Sequence, residues 1–257
     1  ILHFVQNDIT EQWTHPQKEP SMTTVKKRLS QLNWQSIEQS LWEHGYATTP
    51  RILTAKECAS FIRLYAGAKH FRKRINMAQH RFGVGDYQYF ADPLPPLVQQ
   101  IRTHAYPPLA KIANRWMVAL RQQGTFPPTL SRFLSVCQEN GQVKPTPLLL
   151  HYEQDGYNCL HQDLYGTIAF PLQMAFFLSR PEKDYSGGEF LLVEQRPRAQ
   201  SRGIALTLRQ GECIIFTTHN RPVLGTRWYY RVTMRHGVST ITSGSRYTLG
   251  IIFHNAK

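Results

Sequence analysis

The sequence predicts an α+β protein in which helices come first and a β-sandwich or jelly roll follows. Three observations predict it. Apolar residues recur at helical spacing in the first half, as at Trp34, Ile37 and Leu41. After Pro147 the pattern changes to short apolar runs separated by turn signals such as Ser186-Gly187-Gly188, Gln210-Gly211 and Ser243-Gly244. The 257 residues are 41% hydrophobic and 12% aromatic, enough apolar surface for a sizeable core and too much for general disorder.

Residues 1–30 mix Pro16, Pro20 and a Lys26-Lys27-Arg28 run with no sustained apolar period, which reads as a flexible basic arm, mobile or loosely helical. Met22 within it is an alternative initiator. Residues 31–257 read as a single domain, with helical support over 31–145 and a strand-built core over 146–257. The first helix, from Trp34, is stopped by His44-Gly45-Tyr46. Thr54 is the expected N-cap of the second, with Glu57 as its capping-box partner and Cys58, Phe61, Ile62 and Tyr65 on one face. A long amphipathic stretch covers 93–123, where Pro107-Pro108 is expected to interrupt the helix, and 129–139 reads as a shorter helix ended by Asn140-Gly141. Strands are expected at 148–152, 168–178, 189–194, 204–208, 213–217, 229–235 and 247–253.

Composition excludes several classes. No run of about 18 apolar residues occurs, so a transmembrane helix is excluded. The first residues lack the basic and apolar regions of a secretion signal. Four cysteines lie far apart with no C-x-x-C pair, against a zinc ribbon or disulfide framework; reduced thiols in a cytoplasmic protein are expected. Lys and Arg number 30 against 17 Asp and Glu, a formal net charge of +13, which draws polyanions through a salt-dependent field. On charge alone, a merely soluble basic protein fits equally well.

The chemistry concentrates in the strand-rich half. His161-Gln162-Asp163 puts an imidazole and a carboxylate two residues apart, on the same side of an extended strand or its end. His236, on a later expected strand, can complete a two-histidine, one-carboxylate face that leaves three positions open on an octahedral ion, as Fe(II) oxygen chemistry requires. His219 is the competing distal histidine. Ten residues beyond it stands Tyr229, whereas ten beyond His236 stands Arg246, whose planar guanidinium matches a carboxylate. His151 and His254 flank expected strands and read as packed or surface histidines.

H-Q-D, G-G-E-F, G-E, H-G-V and G-S-R-Y in that order resemble the Fe(II)/2-oxoglutarate-dependent dioxygenases over about residues 148–255. The resemblance implies a double-stranded β-helix core (a jelly roll) carrying the N-terminal helices. Two branches are evoked. The segment Y-E-Q-D-G-Y-N-C-L-H-Q-D, from Tyr152 to Asp163, resembles AlkB-type nucleic-acid demethylases, in which the tyrosine contacts 2-oxoglutarate. The spacing from His236 to Arg246 resembles the prolyl hydroxylases instead. As a whole the chain, with H-R-F-G-V-G-D-Y-Q-Y-F and the ending L-G-I-I-F-H-N-A, is similar to an uncharacterised bacterial group of 2-oxoglutarate oxygenases proposed to act on nucleic acid.

The resemblance implies that His161, Asp163 and His236 bind Fe(II) and form the catalytic centre, and that Arg246, with Tyr152 and Thr248, holds 2-oxoglutarate. O2 is the second cosubstrate and ascorbate a stimulant. Succinate and CO2 leave, and a substrate C–H bond becomes C–OH. Nucleic acid is the implied substrate and partner, where hydroxylation of an N-methyl group releases formaldehyde. Arg81 and Tyr87, and Arg227, Tyr229 and Arg231 in a run interleaved with Trp228, Tyr230 and Arg235, are the candidate substrate contacts. Alternatively that run is a solvated strand and loop with its aromatics turned inward. Segments 70–74 and 81–90 read as a substrate lid or ordinary surface, and Gly187-Gly188-Glu189 as a substrate-side element or a tight turn. A protein (prolyl) hydroxylase is the alternative function, and a non-catalytic nucleic-acid-binding module the remote one.

Overall fold

The computed structural model describes residues 23–257, so most of the expected arm, Met22 included, lies outside the described residues. Its last part, Val25–Ser30, forms a helix, α1, with Val25, Arg28 and Leu29 buried. Helical spacing puts Arg28 on the same face as the two apolar residues, where its guanidinium forks onto Glu57 at 2.7 Å. Helix α2 (Trp34–His44) starts at Asn33, whose side chain accepts the Ser36 amide, and ends at Gly45 in the left-handed conformation. Helix α3 (Ala55–Tyr65) carries the expected Thr54/Glu57 capping box. Helix α4 (Pro96–Ala119) continues through Pro107 and Pro108, contrary to the expected break. Val98, Ile101 and Tyr106 before the prolines and Leu109, Ile112 and Trp116 after them are all buried, and this packing outweighs the missing amide donors. Helix α5 spans Leu130–Glu139.

The strands are β1 (Tyr46–Thr49), β2 (Phe71–Asn76), β3 (Gly83–Val84), β4 (Asp86–Phe90), β5 (Leu148–Tyr152), β6 (Tyr157–His161), β7 (Leu172–Phe177), β8 (Tyr185–Gly187), β9 (Phe190–Gln195), β10 (Arg202–Leu206), β11 (Cys213–Thr217), β12 (Asn220–Leu224), β13 (Tyr229–Val238), β14 (Ile241–Gly244) and β15 (Arg246–Ile251). Seven form one sheet in the order β1-β11-β7-β15-β5-β4-β2. A second sheet runs β10-β9-β13-β6-β3 with β12 also paired to β13, and β8 and β14 form a small third. All these named strand pairs are antiparallel.

Period-two alternation gives the seven-stranded sheet two faces. Leu149, Leu172, Met174, Phe176, Ile215, Leu249 and Ile251 join the helices in one large core. The opposite face meets the second sheet, where Ala175, Phe177, Ile214 and Phe216 pack with Phe190, Leu192, Val232 and Met234. This is the jelly roll that the patterning implied. Segments 70–74 and 81–90 are neither lid nor plain surface for most of their length: β2 and β4 extend the large sheet, β4 pairing with β5 from Asp86↔His151 to Tyr89↔Leu148. The charged residues Lys73 and Arg74 of β2, exposed at the sheet edge, hid that strand in the sequence. No helix of the described residues is long and apolar enough to cross a membrane.

Candidate metal centre and cosubstrate cavity

Strands β6 and β13 pair with His161 directly opposite His236, and Asp163 follows two residues after β6 ends. Gln162, between the two, turns the other way and donates to the Met234 carbonyl at 2.7 Å, fastening the loop to the strand that carries His236. The imidazole rings lie 4.2 Å apart, and Asp163 approaches His236 Nε2 at 3.2 Å and His161 Nε2 at 3.7 Å. One ligand atom from each residue lies within 4.8 Å of the others, a spacing one cation can bridge. His161 Nδ1 is 2.8 Å from the Cys159 carbonyl, which selects the tautomer whose Nε2 is free to bind a metal. Tyr165 donates to Asp163 Oδ1 at 2.5 Å and holds the carboxylate. His236 packs against the rings of Phe190 and Phe216, which also touch each other. Burial alone would raise the Asp163 pKa, but the His236 hydrogen bond, both histidine charges and Tyr165 outweigh it and hold the carboxyl well below its usual range. Burial and the neighbouring His161 lower the His236 pKa against the pull of Asp163, favouring the neutral ring a metal needs.

The triad opens into a cavity of about 330 Å³ between the two sheets. Across it, β15 presents Arg246, Thr248 and Gly250 on one face, while Leu249 and Ile251 turn to the helices. Arg246 is 1% exposed, yet none of its guanidinium nitrogens has a hydrogen-bond partner. The rings of Phe177 and Tyr152 lie 5.0 and 5.6 Å from its central carbon. Gly188, at φ +64, makes room for it: a Cβ there would meet Ile241 Cδ1 at 2.2 Å and Arg246 Cδ at 3.1 Å. Thr248 Oγ1 is buried and unpartnered too. Tyr152 faces Arg246 across the β5–β15 register, accepts from Asn158 at 3.1 Å, and has its phenol pKa pushed by burial up to about 12, so it stays a neutral donor. Unsatisfied buried donors call for an anionic ligand with several acceptors. A dicarboxylate reaching from Arg246 towards the triad fits this donor set, and the two-histidine, one-carboxylate centre fits Fe(II).

Of the expected substrate residues, Arg81 and Tyr87 line this cavity. Arg227, Tyr229 and Arg231 do not, and lie outside it. Val232, Met234 and His236 of β13 are buried, so alternation turns Arg231 outwards; Arg227 is exposed in the β12–β13 turn, and Tyr229 packs on Trp42 at 5.3 Å. His219 lies in a separate groove, His151 stacks on Tyr247, and His254 is fully buried. Gly187-Gly188 connects β8 to β9 as a tight turn beside Arg246. Sequence reasoning missed Tyr165, Asn158 and the cavity-lining Phe82.

The family comparison defines the class: the protein is an oxygenase, an oxidoreductase, and its jelly roll and donor set fit the Fe(II) and 2-oxoglutarate chemistry that the sequence resemblance implies. More narrowly, the chain belongs to the Oxygenase-NA family, oxygenases described as catalysing oxidative methylation of damaged DNA, whose model matches residues 85–256. The uncharacterised proteins Rv2227 and MT2286 of two Mycobacterium tuberculosis strains are each 48% identical over 167 residues, 65% of this chain and 72% of theirs. Solved structures similar to it include a 2OG-Fe(II) oxygenase-family oxidoreductase from Burkholderia pseudomallei, with 15% identity, 87% of this chain and 93% of that one covered, and a TM-score of 0.49. A Pseudomonas putida prolyl-4-hydroxylase gives 12%, 87%, 100% and 0.47, and OsALKBH1 gives 15%, 81%, 97% and 0.41.

Proposed function

We propose that this oxygenase hydroxylates a nucleic acid, removing N-methyl groups from damaged bases, with residues 31–257 acting as one catalytic domain. The observation that carries the site assignment is the buried Arg246 guanidinium, without a carboxylate or carbonyl partner, facing the triad across one cavity. His161, Asp163 and His236 hold Fe(II); Arg246 takes the distal carboxylate of 2-oxoglutarate, with Tyr152 and Thr248 donating beside it. The bound pair supplies O2 activation, coupled to decarboxylation of 2-oxoglutarate to succinate. Tyr165 keeps the Asp163 oxygen oriented, and Phe190 and Phe216 keep water from the His236 side. Arg81, Phe82 and Tyr87 lie where a base enters the cavity: an aromatic face for stacking and a cation for an adjacent phosphate. The net charge of +13 and the family's description favour a polyanion. Hydroxylation of an N-methyl carbon yields a hemiaminal that falls apart to the free base and formaldehyde.

A prolyl hydroxylase is the second reading, favoured by the ten-residue spacing from His236 to Arg246. Succinate release with Fe(II) and 2-oxoglutarate separates the two. An N-methylated single-stranded oligonucleotide is expected to stimulate it and yield formaldehyde, with His236→Ala inactive. Stimulation by a proline-rich peptide alone would move the protein to the second reading.

A further inference from the structure

Beside the catalytic cavity lies a second groove, of about 140 Å³, between the C-terminal half of α4 and the residues following β11. Leu164, one residue past Asp163 and 45% exposed, lines both, so the two concavities share a wall. No aspartate or glutamate lines the groove; His219, Asn220 and Gln122 do, with Trp116, whose indole nitrogen is buried without a partner. Beyond it stands Trp228, 46% exposed and held upright by a hydrogen bond from its indole nitrogen to the Ala119 carbonyl at 2.9 Å. The Arg121 guanidinium lies 5.0 Å over that ring, and Arg121 itself, at φ 52, closes α4 in the left-handed conformation, with its amide on the Val118 carbonyl at 3.0 Å and the Gln122 amide on that of Met117 at 2.9 Å. Arg231 is exposed near His219, where its charge, after burial, helps depress the imidazole pKa. An exposed indole, two arginines and an unpartnered indole donor without a carboxylate make a surface suited to stacked bases and phosphates.

We propose that this groove, with the Arg121–Trp228 pair and Arg231, holds the nucleotides flanking the target base of a single-stranded nucleic acid whose modified base enters the catalytic cavity past Leu164. The inference rests on the nucleic-acid reading above and adds a path to it: the substrate extends from the cavity over Leu164 towards α4 rather than ending at the reacting base. Recognition there is sequence-tolerant, because stacking and phosphate contacts read no base edge.

The test compares an N-methylated nucleoside with a single-stranded oligonucleotide of about ten nucleotides carrying the same base centrally, a length that spans one such binding site. In the wild-type enzyme the oligonucleotide is expected to have the lower KM. Trp228→Ala should erode that advantage about tenfold, the loss of one stacked base. Because this variant also removes a packing contact, Arg121→Gln and Arg231→Gln, both at exposed positions, are measured alongside. Each should lower the slope of log Kd against log salt by about one. The pair Lys56→Gln and Arg63→Gln, which removes equal charge from α3, should leave the slope unchanged. Oligonucleotide KM and salt slope indifferent to Arg121, Trp228 and Arg231, in an enzyme still stimulated by the oligonucleotide, would overturn the groove assignment alone. Turnover stimulated only by peptide would overturn the nucleic-acid reading and this inference together.

Discussion

Arg102 and Arg246 are 2% and 1% exposed, and they lie on opposite sides of the same layer of strands. On the helical side, Arg102 of α4 donates to the Ile252 carbonyl at 3.0 Å, the Phe253 carbonyl at 2.7 Å and Asn255 Oδ1 at 2.9 Å. Burial lowers its pKa to about 10 and leaves it charged. On the cavity side, Arg246 begins β15, has aromatic rings around it, and finds no carboxylate or carbonyl to bond its guanidinium. A third buried arginine, Arg221, is paired with Glu194 and the Trp42 carbonyl. The fold can satisfy a buried guanidinium when the residue serves the structure. Leaving Arg246 bare keeps an uncompensated charge in a cavity, a cost recovered only when an anion binds. One face of the sheet is built for stability and the other is held open for a ligand.

The largest effect expected from this division is at the triad. Asp163→Ala should cut succinate formation by roughly a thousandfold or more, because it removes a ligand and the group that orients both histidines. Full activity in that variant would refute the ligand set. Next, Arg246→Met should raise the 2-oxoglutarate KM about a hundredfold, the worth of two charge-assisted hydrogen bonds, while leaving the apo protein as stable as wild type or more so. Arg102→Met should do the reverse, costing about 3 kcal/mol in chemical denaturation with little change in that KM. If both variants destabilise equally, the two arginines are structural alike and the contrast fails.

A smaller effect belongs to His254, which is fully buried, accepts the Phe170 amide on Nδ1, and has its pKa lowered by burial from 6.5 to about 4. In the unfolded chain it titrates near 6.5, so the folded state holds fewer protons between there and about pH 4. Stability is therefore full above pH 6.5 and declines as pH falls to about 4, by roughly 2 to 3 kcal/mol. Denaturation curves at pH 7.5 and 4.5 should show this fall, and His254→Gln should flatten it; an unchanged slope in the variant would assign the loss to other groups.

How far the sequence reached follows the same line between faces. The triad and Arg246 were legible because their signals are local: two residues from His161 to Asp163, ten from His236 to Arg246, each on or beside an apolar strand. The outward turn of Arg231 is legible too, since it lies five residues from His236, an odd offset that places it on the other face, in keeping with the solvated-strand alternative for that run. Tyr165 and Asn158 were not legible, because their roles depend on how a loop and a neighbouring strand fold back on Asp163 and Tyr152. Strands β2 and β4 were hidden because Lys73 and Arg74 at the exposed edge break the apolar pattern, and the pairing with β5 that buries Tyr89 and Phe90 joins segments some sixty residues apart. The run of α4 through Pro107 and Pro108 is not legible in the sequence, because burial on both sides of the prolines is a property of the assembled core.

The smallest effect expected is the sharpest check on whether the faces are independent. Thr54 Oγ1 accepts the Glu57 amide at 3.2 Å, and Glu57 Oε2 accepts the Thr54 amide at 2.8 Å. The same carboxylate receives Arg28 from α1, so the cap of α3 also anchors the first described helix. Thr54→Ala removes one half of the box and should cost about 1 kcal/mol, read as a fall of a few degrees in Tm. Helix α3 contributes Cys58, Phe61 and Tyr65 to the helical core and no residue to the cavity wall. Turnover and the 2-oxoglutarate KM should therefore stay at wild-type values. A change in either would mean that strain on the helical side reaches Arg246 through β15, and the sheet would then couple its two faces rather than divide them.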